Sequence, residues 1–395
     1  MRFLIHGFYG AGNTGDDAIL HAIIDRIASI CPEFKVTVTV RSQIIIPYYG
    51  PYDITKVSGF DLNLLHHAVL KSDMVIVGGG GLFQDYAGFS ALQLFQGAPS
   101  ALRQQGAINY YSAPIFLAKT LGKPVFLYAL GIGPFQSEEA KRAAGWIAGL
   151  ADAITVRDQA SLTILQRLGV HRTVLAADPA VRLGSLHTSV VEPKELISHT
   201  TNHSHLKIAF NLRKWVYGKV ESVRAYEAMV FVAKQLISKY DALLYILPFN
   251  RSKVEVSQAE EFVSLLPQGS VEIIPYEGSS PVDVKFFLGE MDLVIAERLH
   301  ASILAMSAGT PAIGLSYDPK VIQFFEEIGL PELCHTIEQV TPESLLATAE
   351  LVLLSRSDWR SRIKENLVSL QQRDDLHDGI LRDQLVRIMR KDTNG

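Results

Sequence analysis

Arg298 and His300 stand in the run D-L-V-I-A-E-R-L-H-A-S-I-L-A-M-S-A-G-T-P-A-I-G-L-S-Y-D-P-K, residues 292–320. It reads as a buried strand (Leu293 to Ala296), a Glu297-Arg298-Leu299-His300 junction, a small-residue helix and a second strand (Pro311 to Leu315). At a strand-to-helix junction the free N–H groups and the helix dipole favour an anion. A right-handed crossover returns Lys320 to the same edge of the sheet. Arginine, histidine and lysine gathered there suit a small, highly charged anion with proton transfer beside it. A lone histidine is more often structural, and it is the company of Arg298 that gives His300 a chemical reading. Glu297 reads either as a base or, more plainly, as the buried partner of Arg298.

The elements that must hold these residues alternate as in a parallel sheet. In the first half the expected strands are Arg2 to His6, Lys35 to Val40, Met74 to Val77, Val125 to Ala129 and Ala153 to Val156. Helices are expected at Asp17 to Ile30, Leu62 to Leu70, Tyr110 to Leu121 and Glu138 to Leu150. Near-continuous apolar strands such as M-V-I-V imply helices on both sheet faces. Alternation resumes with strands Lys207 to Leu212, Leu243 to Leu247, Ser270 to Ile274 and the two above. A helix from Ser222 to Lys239 takes Ser222 as its N-cap. The fold class is therefore α/β, with two doubly wound Rossmann-like domains facing across a cleft. The expected boundaries are 1–183, a polar linker at 184–206, 207–355, and C-terminal helices at 356–395 that pack back on the first domain. The linker histidines His187, His199, His203 and His205 lack carboxylate or cysteine at ligand spacing, so a solvated linker is preferred to a metal site.

Composition bounds the rest. The chain has 395 residues, 48% hydrophobic and 20% charged, and a net charge of -4. Length favours two domains, and the charge gives no reason to expect nucleic acid. Two cysteines far apart, Cys31 and Cys334, agree with a reducing compartment. No apolar run reaches the length of about 20 residues that spans a bilayer. The expectation is a cytoplasmic protein whose membrane contact, at the inner face, is at most peripheral; oligomerisation stays open.

Residues 7–17, G-F-Y-G-A-G-N-T-G-D-D, contain Gly10-x-Gly12-x-x-Gly15 after a strand and before a helix, the dinucleotide fingerprint. Asp16 and Asp17 oppose that reading, because carboxylates at the helix start repel a pyrophosphate. The second strand ends in Arg41, with no acid for a ribose hydroxyl, although a 2′-phosphate would account for an arginine. A tight turn capped by Asn13, Thr14 or Asp16 is the plainer reading. Gly78 to Gly81 and Gly131-Ile132-Gly133-Pro134 read as further glycine turns at strand ends. Together the three locate a ligand crevice better than they identify its occupant.

These motifs, with T-V-R-D-Q-A-S at 155–161, A-D-P-A at 177–180 and Y-D-P-K at 317–320, resemble the polysaccharide pyruvyl transferases, especially bacterial members acting on cell-wall polymers. The resemblance covers most of the chain in order; Asp17 stands where many relatives are expected to carry glutamate. It implies a GT-B-like fold and transfer of a pyruvyl group from phosphoenolpyruvate to two hydroxyls of one sugar, giving a cyclic ketal and phosphate. It implies an acceptor of the N-acetylmannosamine type on a lipid-diphosphate-linked intermediate, and no cofactor or metal.

On that basis Arg157, Arg298, Lys320 and, more weakly, Arg213 are expected to bind the donor carboxylate and phosphate. The competing reading of Arg157 is a surface pair with Asp158 at the start of a helix. Protonating the donor's methylene carbon and accepting a hydroxyl proton demand an acid and a base, and His300 is the candidate, with Arg298 beside it. Asp16, Asp17, Gly12, Asn13, Gly80 and Tyr86 are the acceptor-side candidates. Tyr86, Phe89, Tyr110 and Tyr111 suit stacking on a sugar, or, for the last two, core packing. The alternatives are a glycosyltransferase using a nucleotide sugar in the same fold, and a non-catalytic sugar or anion sensor.

Overall fold

The computed structural model describes residues 1–41, 52–86, 88–94, 107–184, 205–213, 221–274 and 279–393. Most of the 184–206 stretch, with His187, His199 and His203, lies outside them. The chain divides into two compact units. Each is built on a parallel sheet.

The first unit comprises Met1–Ala11, Ile19–Pro179 and Gln371–Gly395. Its strands are β1 Arg2–His6, β2 Lys35–Val40, β3 Ile54–Ser58, β4 Met74–Phe83, β5 Val125–Ile132, β6 Ala153–Val156 and β7 Val174–Leu175. They lie in the order β3-β2-β1-β4-β5-β6-β7. β5 and β6 are buried at every position, as strands covered on both faces must be. Helix starts are fixed by local chemistry. Asp61 accepts from Asn63 N–H and Leu64 N–H, Ser137 from Ala140 N–H, and Asp158 from Ser161 N–H.

Two expectations about β4 and β5 need correcting. Both strands run on through their glycines: Gly78 pairs with Tyr128, Gly80 with Leu130 and Gly81 with Gly131. Gly80 is therefore a strand residue, not part of a terminal turn. Its φ of 88°, after 79° at Gly79, is a kink that a side chain would resist. Leu82 and Phe83, both buried, carry the strand onward because their side chains fill the core.

The C-terminal helices Arg356–Asp374 and Leu376–Thr393 contribute their last portion, Gln371–Gly395, to this unit. Leu381 and Leu385 join the core cluster that includes Ile23 and Phe126. Arg26 bonds Asp374 and Asp378 at 2.5 Å each. His377 stacks on Tyr128 with ring centres 4.1 Å apart.

The second unit comprises Gly12–Ala18 and Ala180–Leu370. Its strands are β8 Lys207–Asn211, β9 Leu243–Ile246, β10 Val271–Ile273, β11 Leu293–Ala296, β12 Ala312–Ser316 and β13 Cys334–Thr336, in the order β10-β9-β8-β11-β12-β13. The same winding thus occurs twice without a visible sequence repeat. The helix after β8 is Glu221–Tyr240, so Ser222 lies inside its first turn and not before it. Ser280 and Asp283 form a reciprocal cap on Pro281–Gly289, where proline at the first turn loses no hydrogen bond.

Residues Gly12–Ala18 hold to this unit by backbone contacts. Thr14 N–H donates to Phe249 O at 2.9 Å, and Arg251 N–H donates to Gly12 O at 3.0 Å. The helix they open, Thr14–Ile30, begins three residues earlier than the apolar pattern suggests. Asn13 explains the early start, because its Oδ1 accepts Gly15 N–H at 3.0 Å.

Candidate active site

β8 and β11 are neighbours in the second sheet, with Ala296 beside Asn211. After β8 the sheet extends to β9 on one side, and after β11 to β12 on the other. The carboxyl ends of these two strands therefore form the switch point at which doubly wound sheets take ligands. Arg213 leaves one end, and Glu297 and Arg298 leave the other.

Asn211 Oδ1 accepts the Arg298 N–H at 3.1 Å while its Nδ2 donates to Leu247 O at 2.8 Å. Arg298 has extended backbone angles, so the side chains of Glu297 and Arg298 go to opposite sides. Glu297 turns to β8 and accepts the Arg213 N–H at 2.5 Å. Arg298 turns to Glu255, giving Nε to Oε2 at 3.2 Å and Nη2 to Oε1. The expected Glu297–Arg298 ion pair is thus replaced by two separate contacts. Glu255 carried no signal in the sequence, being one acid in a charged amphipathic helix.

Tyr317 joins the remaining cations. Arg213 Nη1 donates to its hydroxyl, and the guanidinium carbon lies 4.4 Å from the ring centre. Lys320 Nζ lies 5.7 Å from the same ring and 3.0 Å from Asp318. Asp318 also caps the helix Pro319–Glu327 through Lys320 N–H. Tyr317 is the Y of the Y-D-P-K motif, so the sequence held its position but not its role.

Two charges in this cluster are shifted. Burial pushes the Glu297 carboxyl up to about 7, against the opposing pull of the Arg213 N–H and charge. Burial opposes the charge on Arg298, but Glu255, with smaller help from Tyr317 and Asp16, leaves the net shift upward. Arg298 is accordingly a firmly held cation, and Glu297 changes protonation near neutral pH.

His300 opens the helix Leu299–Ser307 and lies against the first turn of the Thr14 helix. A Cβ at Gly15 would fall 2.3 Å from His300 Nδ1 and 2.5 Å from its Cγ. The third glycine of the fingerprint thus leaves room for an imidazole, not for a pyrophosphate. Asp16 and Asp17 belong to this same unit, not to the other one as chain order implied. Asp16 is half-buried and near enough to influence Arg298, whereas Asp17 is buried. Gly12 has φ 70°, and a Cβ there would lie 3.0 Å from the Arg251 Cβ.

The remaining candidates lie in the first unit. Arg157 follows β6 and is buried, donating from Nη1 to Asp178 at 2.8 Å, with Asp158 Oδ2 3.7 Å from Nε. It is not the surface pair considered above. The T-V-R-D and A-D-P-A motifs meet through this bond. A Cβ at Gly131 would lie 3.2 Å from Arg157 Nε, so that glycine makes room for the guanidinium. Tyr86 is half-buried, its N–H bonded to Gln84 Oε1 at 2.7 Å. Tyr110 and Tyr111 are buried in the core against His6, which decides for packing. Among the described residues no group of three or more His, Cys, Asp or Glu side chains is placed to hold a metal ion. No described helix is long and apolar enough to cross a membrane.

Comparison with known proteins adds family and fold. The family model for polysaccharide pyruvyl transferase matches residues 13–319. The amylovoran biosynthesis protein AmsJ of Erwinia amylovora is 22% identical over 397 aligned positions, covering 89% of this chain and 92% of that one. Among solved structures, UDP-GlcNAc 2-epimerase from Neisseria meningitidis matches with a TM-score of 0.59 at 12% identity, covering 99% and 100% of the two chains. The S. aureus MnaA–UDP co-structure gives 0.60 at 14% identity, covering 93% and 91%. The E. coli ADP-heptose heptosyltransferase II gives 0.51 at 13% identity, covering 90% and 100%. At such identities these structures speak for the two-domain parallel-sheet fold alone.

Proposed function

Because the chain belongs to the polysaccharide pyruvyl transferase family, we propose that it moves the pyruvyl group of phosphoenolpyruvate onto two hydroxyls of one saccharide residue. The observation that carries this reading is the convergence of Arg213, Arg298 and Lys320 on the carboxyl ends of β8, β11 and β12, with Tyr317 between two of them. A three-carbon molecule bearing a carboxylate and a phosphate calls for several cations at close range. Guanidinium forks suit both groups. Glu255 holds Nε and Nη2 of Arg298, so the donor is met by the Nη1 side of a pre-oriented fork.

The chemistry balances as follows. A proton adds to the methylene carbon, one sugar oxygen bonds to C2, and the C2–O bond to phosphate breaks. The second sugar oxygen then closes the ketal. Of the two hydroxyl protons lost, one is matched by the new methyl hydrogen and the other leaves on phosphate. His300 is the proposed acid or base, and Glu297, whose carboxyl burial pushes up to about 7, is a second candidate. Asp16, on the turn that seats His300, is proposed to meet an acceptor hydroxyl. Arg157 enters as a donor contact on the family resemblance alone. The proposed acceptor is an N-acetylmannosamine-type residue of a lipid-linked polymer precursor.

Purified protein with phosphoenolpyruvate and an acceptor should release phosphate and add a pyruvate ketal to the sugar by mass. Arg298→Ala and His300→Ala should each lower kcat/KM by roughly 100-fold or more. Unchanged rates in both variants would show the chemistry to lie elsewhere. Stabilisation by UDP with none by phosphoenolpyruvate would turn the reading to nucleotide-sugar transfer.

A further inference from the structure

Arg41 follows directly on β2, and neither the donor site nor the core accounts for it. Its guanidinium carbon lies 4.9 Å from the Phe8 ring centre, 5.0 Å from Phe60 and 4.7 Å from Tyr110. Phe8 follows β1 and Phe60 follows β3, so three adjacent strands, β3-β2-β1, bring their carboxyl ends together around one cation. Tyr110 completes the cage from the helix Ala107–Thr120. Backbone bonds fix it: Arg41 N–H donates to Tyr9 O at 2.9 Å and Gly59 N–H to Val40 O at 3.0 Å.

Among the described residues, the Arg41 guanidinium makes no hydrogen bond and no ion pair, while Arg26, Arg157 and Arg298 each have a carboxylate within bonding distance. Three aromatic faces attract the cation and hold its plane, yet they satisfy none of its five N–H donors. The residue is half-buried, not sealed in the core. A fork immobilised in this way loses little further entropy when an oxyanion docks on it.

We propose that Arg41 anchors an oxyanion of the saccharide acceptor, a carboxylate or a phosphate set apart from the hydroxyls that become the ketal. The proposal rests on the transfer reading above. In a reaction that joins two substrates, the cations proposed for the donor are Arg213, Arg298 and Lys320 in the second unit and Arg157 after β6 in the first, whereas Arg41 stands apart from all of them at the β3-β2-β1 side of the first sheet. A second anion-binding group is therefore assigned to the second substrate. The acceptor class is accordingly an anionic saccharide, bearing either a uronate or a phosphoester.

The test separates binding from turnover. With ¹⁵N-labelled arginine, the Arg41 Nε signal is identified as the one lost in Arg41→Lys. It is then titrated with inorganic pyrophosphate and, separately, with methyl glucuronide. A saturable shift with either probe is expected, and the stronger one identifies the oxyanion. No shift with either would overturn the proposal whatever the fate of pyruvyl transfer. In steady-state assays Arg41→Gln should raise KM for the anionic acceptor on the order of 10- to 100-fold, leaving kcat and the KM of a neutral acceptor within about twofold. An equal loss for charged and neutral acceptors would count against it. So would loss of the folded state, by circular dichroism, in both Arg41→Gln and Arg41→Lys, since the cage would then serve packing.

Discussion

An added methyl at Gly15 would collide with the His300 imidazole, since its carbon would lie 2.3 Å from Nδ1. Relief requires the ring to move by on the order of 1 Å, a displacement that costs about 100-fold in a well-aligned reaction. Alanine is also the better helix former, by about 1 kcal/mol. Gly15→Ala should therefore lower kcat by roughly 100-fold, and because overpacking costs typically about 1–3 kcal/mol the unfolding midpoint should fall despite the better helix former. In a His300→Ala background the same change should do almost nothing, and additive losses would separate the two residues. Glu297 supplies a second test at this scale. Its folded pKa of about 7 exceeds the ordinary carboxyl value of 4.5. The protonated form is thus favoured by folding, and stability contributed below 4.5 is lost as pH rises to about 7. Glu297→Gln keeps an acceptor for the Arg213 N–H and removes the ionisation. It should raise stability at pH 8 by an amount on the order of 3 kcal/mol and leave stability at pH 4 nearly unchanged. Denaturant midpoints at the two pH values decide it.

Among the elements, the junctions after strands carry the chemistry, and they owe their shapes to partners elsewhere. The turn after β6 contains Arg157, buried against Asp178 from the A-D-P-A segment. Asp178→Asn would leave that guanidinium buried beside a neutral amide. A broken buried pair typically loses 3–5 kcal/mol. A marked fall in the unfolding midpoint is expected, with Asp158→Asn much milder because Asp158 lies 3.7 Å away. Equal effects would mean that the pair is not what holds Arg157. The turn after β11 is simpler, because small residues let the Leu299–Ser307 helix bury all but its first histidine and last serine.

For the whole molecule, the first unit should lose more stability in acid than the second. His6 and His377 are buried in the first unit, and burial lowers each from 6.5 to about 3. The unfolded chain takes up those protons first, so stability is lost as pH falls below 6.5, by about 1.4 kcal/mol per pH unit for each histidine. Glu297, in the second unit, works the other way between about 4.5 and 7, offset in part by His335, which burial also lowers. Single-tryptophan variants retaining Trp146 or Trp359 report on the first and second units separately. On going from pH 6.5 to 5 the Trp146 transition should move to lower denaturant relative to the Trp359 transition. Parallel shifts would contradict the assignment.

The alternation of apolar strands and amphipathic helices specifies two parallel sheets, because burial on both faces leaves a readable run of residues. It also located Arg298 and His300 at a strand end, since that position depends only on local pattern. β3, β7 and β13 escaped notice, being short edge strands with half-exposed residues. The partners of the site escaped too. Glu255 is 43 residues from Arg298, Tyr317 is 104 from Arg213, and Gly15 meets His300 from the far end of the chain. Secondary structure is set by neighbours a few positions away, whereas the direction of a buried charge is set by whatever packing brings against it. The chain's residues chose the strand ends; only the folded sheets decided which carboxylate, ring or glycine each cation and imidazole would face.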